Sequence, residues 1–217
     1  MIIWSTGTSG PDRRIPRGPG GTGLLDRVSL TDAFEAACLI RCTRGRSERQ
    51  PDTVLAEFSS AAAAARLGEL LDRLGTPARP ERITAGLRRR YELHRLHSTN
   101  LGQPIAVLAN GWRQGRAAVL DPAATGVTTP RHARRRSLAA AAWRAALLAA
   151  GRHVRTNILG VRLHDTELAA VLVRSAHLLG AAASVAPRSG CLLVSVPGGA
   201  DRERIERQCA RSVLLPG

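Results

Sequence analysis

The same order of sequence elements occurs twice along this chain. Gly45 and Gly151 each follow a helical segment rich in small residues, and they are 106 residues apart. Gly75 and Gly180 each end the next helical segment, and they are 105 residues apart. Other residues coincide at this spacing: Phe58 with Leu163, Ser60 with Asp165, Ala64 with Ala169, Leu67 with Leu172, and Leu74 with Leu179. An internal duplication restricts the chain to folds built from two similar halves.

The first half begins with a predicted helix followed by a predicted strand. Asp32, with Glu35 three residues later, has the pattern of a capping box, so we expect a helix from Asp32 to Gly45. Apolar residues then alternate with others over residues 54–58, as in a half-buried strand.

A second helix and an extended segment complete the first half. Ser59 or Ser60 is placed to cap the helix, and Gly75 to end it. The apolar face of this helix consists of Leu67, Leu70, Leu71 and Leu74. Residues 83–96 are then predicted to be extended.

The second half repeats the first. We predict a helix over 137–150 that ends at Gly151, a strand over 158–163, and a helix capped by Asp165 and ended by Gly180. A β-hairpin over 183–196, turning at 187–190, and a final helix over 201–214 follow.

The expected domain organisation follows from these elements. Residues 1–23, rich in Pro and Gly, are expected to form a disordered basic tail. Residues 24–98 are the first half, 99–136 a connection, and 137–217 the second half. With 44% hydrophobic residues in 217, the chain can bury a real core.

Small side chains dominate the first helix of each half. Such residues let two helix backbones approach closely, and we expect the two equivalent helices to pair around a pseudo-twofold axis. Both small antiparallel sheets then lie on one side, forming a saddle with the helices on the other. The predicted fold class is α+β.

The charge of the chain indicates a polyanionic partner. Its 32 basic residues are all Arg, against 17 acidic residues, so the net charge is +15 and the pI is about 11.6. Ten of these arginines lie in residues 86–136, with only Glu92 and Asp121 as acids. Arg134, Arg135 and Arg136 oppose the dipole of the predicted helix 137–150, so helix stability does not explain them, whereas phosphate binding does. The alternative for this cluster is a solvated surface without a ligand.

Alternation divides the extended segment 83–96 into two faces. We predict that the face with Tyr91 is core and that the face with Arg88 and Arg90 contacts nucleic acid. Trp112 either stacks on a base or, the preferred interpretation, packs the connection onto the core. The candidate nucleic-acid residues are Arg88, Arg90, Arg113, Arg116, Arg134, Arg135 and Arg136.

Catalytic and cofactor motifs are not found in the sequence. The six histidines form no H-E-x-x-H motif, the Gly-rich segments lack the lysine of a P-loop, and no cysteine or histidine spacing indicates a metal. Cys38 and Cys42 are interpreted as inert buried thiols. No secretory signal or bilayer-length apolar stretch is present, so we expect a cytoplasmic, nucleoid-associated protein that does not contact a membrane.

The duplicated helix carries a resemblance to a known family. Residues 37–45 (ACLIRCTRG) and 143–151 (WRAALLAAG) resemble a degenerate pair of LAGLIDADG motifs. The segment from Ala141 to Gly180, with the strand to Val196, resembles the WhiA-type sporulation regulators. The resemblance spans about residues 24–211.

Two departures from the family pattern shape the expected function. The resemblance to LAGLIDADG homing endonucleases implies an acidic, metal-binding residue before each final glycine, but Arg44 and Ala150 occupy these positions. The sequence also ends at Gly217 without the helix-turn-helix domain that WhiA-type regulators carry.

The resemblance therefore implies a non-catalytic protein that binds double-stranded DNA, without a cofactor, in transcriptional control linked to sporulation and cell division. The alternative is a protein-interaction module that dimerises with itself or modulates a full-length relative. The least favoured hypothesis is an active homing endonuclease.

Overall fold

A computed structural model describes residues 27–43, 53–86, 90–122, 130–155 and 158–211. The helices are α1 (Arg27–Cys42), α2 (Ala61–Arg73), α3 (Gly102–Leu120), α4 (Pro130–Ala149), α5 (Thr166–Leu178) and α6 (Ala200–Arg211). The strands are β1 (Val54–Phe58), β2 (Arg79–Ala85), β3 (Tyr91–His97), β4 (Gly151–Arg155), β5 (Ile158–Leu163), β6 (Ser184–Arg188) and β7 (Cys191–Pro197). The predicted tail and residues 44–52, 87–89 and 212–217 lie outside these ranges.

The strands form two antiparallel sheets, which with the helices confirm the α+β class. Sheet A has the order β1-β3-β2, and sheet B has the order β4-β5-β7-β6. The three strands of sheet A correspond in order to β5, β7 and β6 of sheet B. Helix α2 packs against sheet A, and α5 packs against sheet B.

Local capping signals make α2 and α5 equivalent. Each helix has 13 residues, and the side chain of its N-cap residue, Ser60 or Asp165, accepts a hydrogen bond from the backbone N–H three residues later. Each helix is followed by a glycine in the left-handed region, Gly75 at φ +68° and Gly180 at φ +80°. The predicted caps, helix ends and spacing are confirmed.

The repeat extends beyond the part that the sequence indicated. Residues 99–136 were expected to be a connection, but they contain α3, which follows β3 as α6 follows β7. Glycine usually weakens the interior of a helix, but Gly111 and Gly115 both lie on the side of α3 that packs against α1. A Cβ at Gly111 would lie 2.6 Å from the Cβ of Ala33, and one at Gly115 would lie 2.2 Å from the ring of Phe34. These glycines permit a close helix crossing.

Two predicted helix starts are wrong. Asp32 and Glu35 do not form a capping box, because α1 begins at Arg27 and both side chains are buried within it. Helix α4 begins at Pro130 rather than at Ser137, which agrees with the preference of proline for the first helical turn. The segment 83–96 is part of a hairpin, β2 paired with β3, and β4 is a strand that the sequence did not predict.

The core is centred on α1, which packs against α3 on one side and α4 on the other. The small residues of α1 and of α4 are buried at this crossing, as predicted. Trp143 is fully buried, and its indole N–H donates to the carbonyl of Leu172 on α5 at 3.0 Å. Trp112 is 8% exposed and stacks on Phe34 with ring centroids 5.8 Å apart, so it packs onto the core as preferred.

Candidate nucleic-acid interface

Sheet A has one face toward α2 and an outer face that points away from it. Ala56, Phe58 and Leu96 are buried on the α2 side, and the register places His94 beside Phe58 on that side. Alternation then assigns the other parity, including Tyr91 and Arg95, to the outer face. Tyr91 is 53% exposed, so the prediction that it is core is wrong.

Charges on the outer face of sheet A are largely balanced. The Arg95 guanidinium Nε donates to Glu57 Oε2 at 2.7 Å, and the His97 Nε2 is hydrogen-bonded to Glu81 Oε2 at 2.8 Å. Arg79 is exposed at the end of β2 and has no ion-pair partner among the described residues. This face therefore offers polyanions little net attraction.

The outer face of sheet B is basic over its described side chains. Leu159, Val161 and Val194 are buried toward α5, so the opposite parity on β5, β6 and β7 faces outward. Arg162 and Arg188 are exposed there, and no carboxylate belongs to that set of described side chains. The hydroxyls of Ser184 and Ser195 are hydrogen-bonded across the strands at 3.1 Å. Sequence reasoning missed this face, although the alternation over 158–163 indicated that Arg162 points outward.

The predicted arginines are not brought to one surface. Arg88 lies outside the described residues, and Arg90 is exposed directly before β3. Arg113 and Arg116 lie on α3, beside a cavity with α1. The Nη2 of Arg116 is 3.1 Å from a carboxylate oxygen of Glu167 on α5.

The three consecutive arginines of α4 have different surroundings. Because α4 starts at Pro130, they lie in its second turn and not at its N-terminus, so the dipole argument for a phosphate site does not hold. Arg135 is 3% exposed and donates to the carbonyls of Val119 and Asp121, closing the end of α3. Its assignment to nucleic acid is corrected to a structural role. Arg134 is half-buried, and Arg136 lines a cavity with Arg204 and Arg207.

A buried charge cluster lies between the halves. Glu35 on α1 is fully buried and accepts hydrogen bonds from Arg144 on α4, with Nε at 2.8 Å, and from Arg66 on α2, with Nε at 2.8 Å. Burial alone would raise the pKa of Glu35, but the hydrogen bonds from Arg144 and Arg66 bring this pKa below its ordinary value. The only sign of this cluster in the sequence is that three charged residues, Glu35, Arg66 and Arg144, lie in otherwise apolar helices.

The ends of the duplicated helices do not fit a metal. Ala150, at the position where homing endonucleases of this type carry an acid, is 7% exposed, and its methyl group cannot ligate a cation. Arg44 lies outside the described residues. In the part of the chain that is described, no three His, Cys, Asp or Glu side chains are grouped to hold a metal. None of the described helices is long and apolar enough to cross a membrane.

The cysteines of α1 have the character of inert thiols. Burial raises the pKa of Cys38 well above its ordinary value. Burial also raises the pKa of Cys42 to about 12, with a contribution from Asp165. Neither thiol is a thiolate near neutral pH, which agrees with the prediction from sequence.

Comparisons with known proteins identify the fold. The chain matches no protein-family model and no curated protein. Among solved structures it is similar to the N-terminal LAGLIDADG domain of DUF199/WhiA, with 14% identity, coverage of 89% of this chain and 84% of that one, and a TM-score of 0.56. It is also similar to full-length DUF199/WhiA from Thermatoga maritima, with 13% identity, coverage of 87% and 62%, and a TM-score of 0.57.

A homing endonuclease has the same architecture. A variant of I-DmoI, solved with its target DNA in the presence of magnesium, is 15% identical, with coverage of 89% of this chain and 100% of that one and a TM-score of 0.50. The duplicated helices, the two antiparallel sheets and these similarities agree, and the chain has the LAGLIDADG fold shared by the WhiA N-terminal domain and homing endonucleases.

Proposed function

We propose that this chain is a non-catalytic protein that binds double-stranded DNA and acts, like WhiA-type regulators, in transcriptional control linked to sporulation and cell division at the nucleoid. The observation that carries the DNA-binding proposal is the outer face of sheet B, where Arg162 and Arg188 are exposed without a described carboxylate on the same face. A net charge of +15 and the target-DNA complex of the similar I-DmoI variant support it.

The proposed interface consists of Arg79, Arg90, Arg162 and Arg188, which are exposed at the sheets, together with Arg88, which precedes Arg90 by two residues in the sequence. Guanidinium groups bind phosphate oxygens through two parallel hydrogen bonds, and these contacts position a duplex without reading its sequence.

The absence of catalysis is proposed from the helix ends. Metal-dependent hydrolysis of a phosphodiester needs carboxylates to hold divalent cations at the scissile phosphate. Arg44 and Ala150 provide a positive charge and a methyl group instead. Incubation of plasmid and linear duplexes with millimolar Mg²⁺ or Mn²⁺ is expected to give no nicking or cleavage. Metal-dependent cleavage that purification to homogeneity does not remove would overturn this part of the proposal.

The interface is tested by fluorescence anisotropy on a labelled duplex in EDTA. The double variant Arg162→Gln/Arg188→Gln is expected to lower affinity about tenfold and to reduce the log-log salt slope by about 2, since each phosphate contact contributes about 1. The control Arg174→Gln/Arg202→Gln removes the same charge from α5 and α6. Equal losses in the two double variants would show that only net charge matters and would remove sheet B from the interface.

The first-half arginines are tested separately. Arg88→Ala/Arg90→Ala is expected to weaken duplex binding and to leave the thermal midpoint nearly unchanged, because Arg90 is exposed. Unchanged affinity would remove this hairpin from the proposed interface.

A second function, an interaction module, is favoured by the outer face of sheet A. This face is balanced in charge, and Ile83, Tyr91 and Leu93 lie together on paired strands. A surface of this composition suits a second copy or a related protein better than DNA. Sedimentation of the wild type and of Tyr91→Ser separates the two functions, since a concentration-dependent dimer lost in the variant would favour the module.

A further inference from the structure

A cavity between α1, α3 and β1 has no role in the proposed function. Its volume is about 520 Å³, which falls in the range of small-molecule sites. The walls are mainly apolar and are formed by Ala37, Ile40, Leu55, Ile105, Leu108 and Trp112. Ile105, which also lines the cavity, is 50% exposed, which is a large exposure for an apolar side chain. The cavity therefore offers an apolar surface to a ligand.

One end of the cavity has an excess of positive charge. Three arginines, Arg41, Arg113 and Arg116, line it together with a single carboxylate, Glu167. Glu167 is shared, with Arg41 Nη2 at 3.2 Å and Arg116 Nη2 at 3.1 Å. Arg41 is also ion-paired with Asp165 and lies 3.9 Å above the Trp112 ring.

Two donors at this end remain without an acceptor. Arg113 is exposed, and no described residue forms an ion pair or hydrogen bond with it. The Nε of Arg116 is buried and has no hydrogen-bond partner within the described structure. A buried N–H without an acceptor is unfavourable, and an anion bound beside Arg116 removes this cost by supplying the acceptor.

We propose that this cavity binds a small amphipathic anion, a carboxylate with an unbranched aliphatic chain. The chain packs on the Leu108 and Trp112 wall. The carboxylate accepts hydrogen bonds from Arg113 and from the Nε of Arg116. A cationic head group is repelled by the excess of positive charge, and a neutral one leaves Arg113 without an ion-pair partner. The site joins the two halves, because Glu167 belongs to α5 and the remaining lining residues precede the second half.

The experiment is isothermal titration of the whole chain with decanoate at neutral pH, below the micellar concentration. Decanoate is expected to bind at one site per chain, at least tenfold more tightly than decan-1-ol, with no binding of decylammonium. Equal affinity for the acid and the alcohol, or an absence of decanoate binding, overturns the proposal.

Three variants test whether the ligand binds in this cavity. Arg113→Gln is expected to weaken decanoate binding about tenfold, and it removes no hydrogen bond or ion pair of the described structure at this exposed position, so we expect folding to be preserved. Ala109→Phe, at an exposed lining position of α3, is expected to fill the cavity and abolish binding. Arg136→Gln, which removes the same charge on α4, is the control and leaves affinity unchanged. Binding that survives Ala109→Phe in a folded protein would locate the ligand elsewhere and overturn the proposal. These measurements use no DNA. A negative result would therefore overturn the ligand proposal without bearing on the proposed DNA binding.

Discussion

Glu35 is the residue on which contacts between three helices depend. It lies on α1, is fully buried, and is the acceptor for Arg144 of α4 and Arg66 of α2. Isolated buried charges are strongly unfavourable, so each of these groups is tolerated only because the others are present. The cluster joins α1, α2 and α4, because its three charged groups come from these three helices.

Removal of Glu35 is expected to be strongly destabilising. Glu35→Gln leaves the buried guanidinium of Arg144 without a counter-charge and Arg66 with only the exposed Glu69, and it should lower the free energy of unfolding by about 3 kcal/mol. Urea denaturation provides the measurement. Glu69→Gln is the control, because Glu69 also binds Arg66, at 2.8 Å, but is 67% exposed. A loss of stability no larger than that of the control would contradict a structural role for the buried cluster.

The lowered pKa of Glu35 predicts that the free energy of unfolding depends on pH. The pKa of Glu35 is below its ordinary value of 4.5 in the folded chain, so its contribution to stability is fully present above pH 4.5. This contribution is lost as the pH falls through the folded-state pKa. We expect the difference in unfolding free energy between the wild type and Glu35→Gln to be constant from neutral pH to about pH 5 and to shrink below it. A difference that grows on acidification would show the opposite pKa shift.

At the scale of elements, the central feature is the close crossing of α1 by α3. A Cβ added to Gly111 would meet the backbone of Ala33 at 2.8 Å, and one added to Gly115 would meet the ring of buried Phe34. The crossing therefore depends on the absence of side chains at these two positions. It also stacks Trp112 on Phe34 and so forms one wall of the cavity.

Matched glycine substitutions test this crossing. Alanine favours a helix by about 1 kcal/mol relative to glycine, so Gly68→Ala on α2, where nothing lies within 4 Å of the added Cβ, should stabilise the chain. Gly111→Ala should destabilise it by about 2 kcal/mol or more, because the added Cβ would meet the Cβ and the backbone of Ala33, which have no freedom to rotate away. Thermal and urea denaturation compare the two. Similar stabilisation by both variants would mean that α3 does not pack closely on α1.

The elements predicted correctly were those with local signals. The caps Ser60 and Asp165 and the glycines Gly75 and Gly180 act within a few residues of themselves, so their meaning did not depend on the fold. Helix α3 was missed because Pro104, Pro122 and Pro130 indicated a connection, whereas Pro104 lies in the first turn of α3, where proline is tolerated. Asp32 and Glu35 were misread as a cap because their partners are distant in sequence.

The prediction of the site residues also failed where it depended on tertiary packing. Alternation separated the two faces of 83–96 correctly, but it did not show that α2 covers the side of Leu96 and leaves Tyr91 exposed. Clustering in sequence selected Arg135, which tertiary packing buries against the end of α3. The outer face of sheet B became visible only from strand pairing, because its arginines, Arg162 and Arg188, are far apart in the sequence.

At the scale of the whole molecule, the two halves share a fold but differ in their surface charge. The outer face of sheet A pairs its acids with Arg95 and His97, whereas the described side chains of the sheet B face include no acid. We therefore expect duplex DNA to bind mainly through the second half, with the first half contributing through Arg79, Arg88 and Arg90. Because of this difference in charge, we expect the two sheets to contribute unequally to duplex binding.

The most direct test of the central claim is the salt dependence of duplex binding, measured by fluorescence anisotropy with the whole chain in EDTA. About five phosphate contacts, one for each arginine of the proposed interface, predict a log-log slope of about −4.5 between affinity and salt concentration. Binding to a duplex with a slope of this size is the predicted result. A chain that fails to bind any duplex at low salt, despite a net charge of +15, would contradict the account and leave the interaction module as its function.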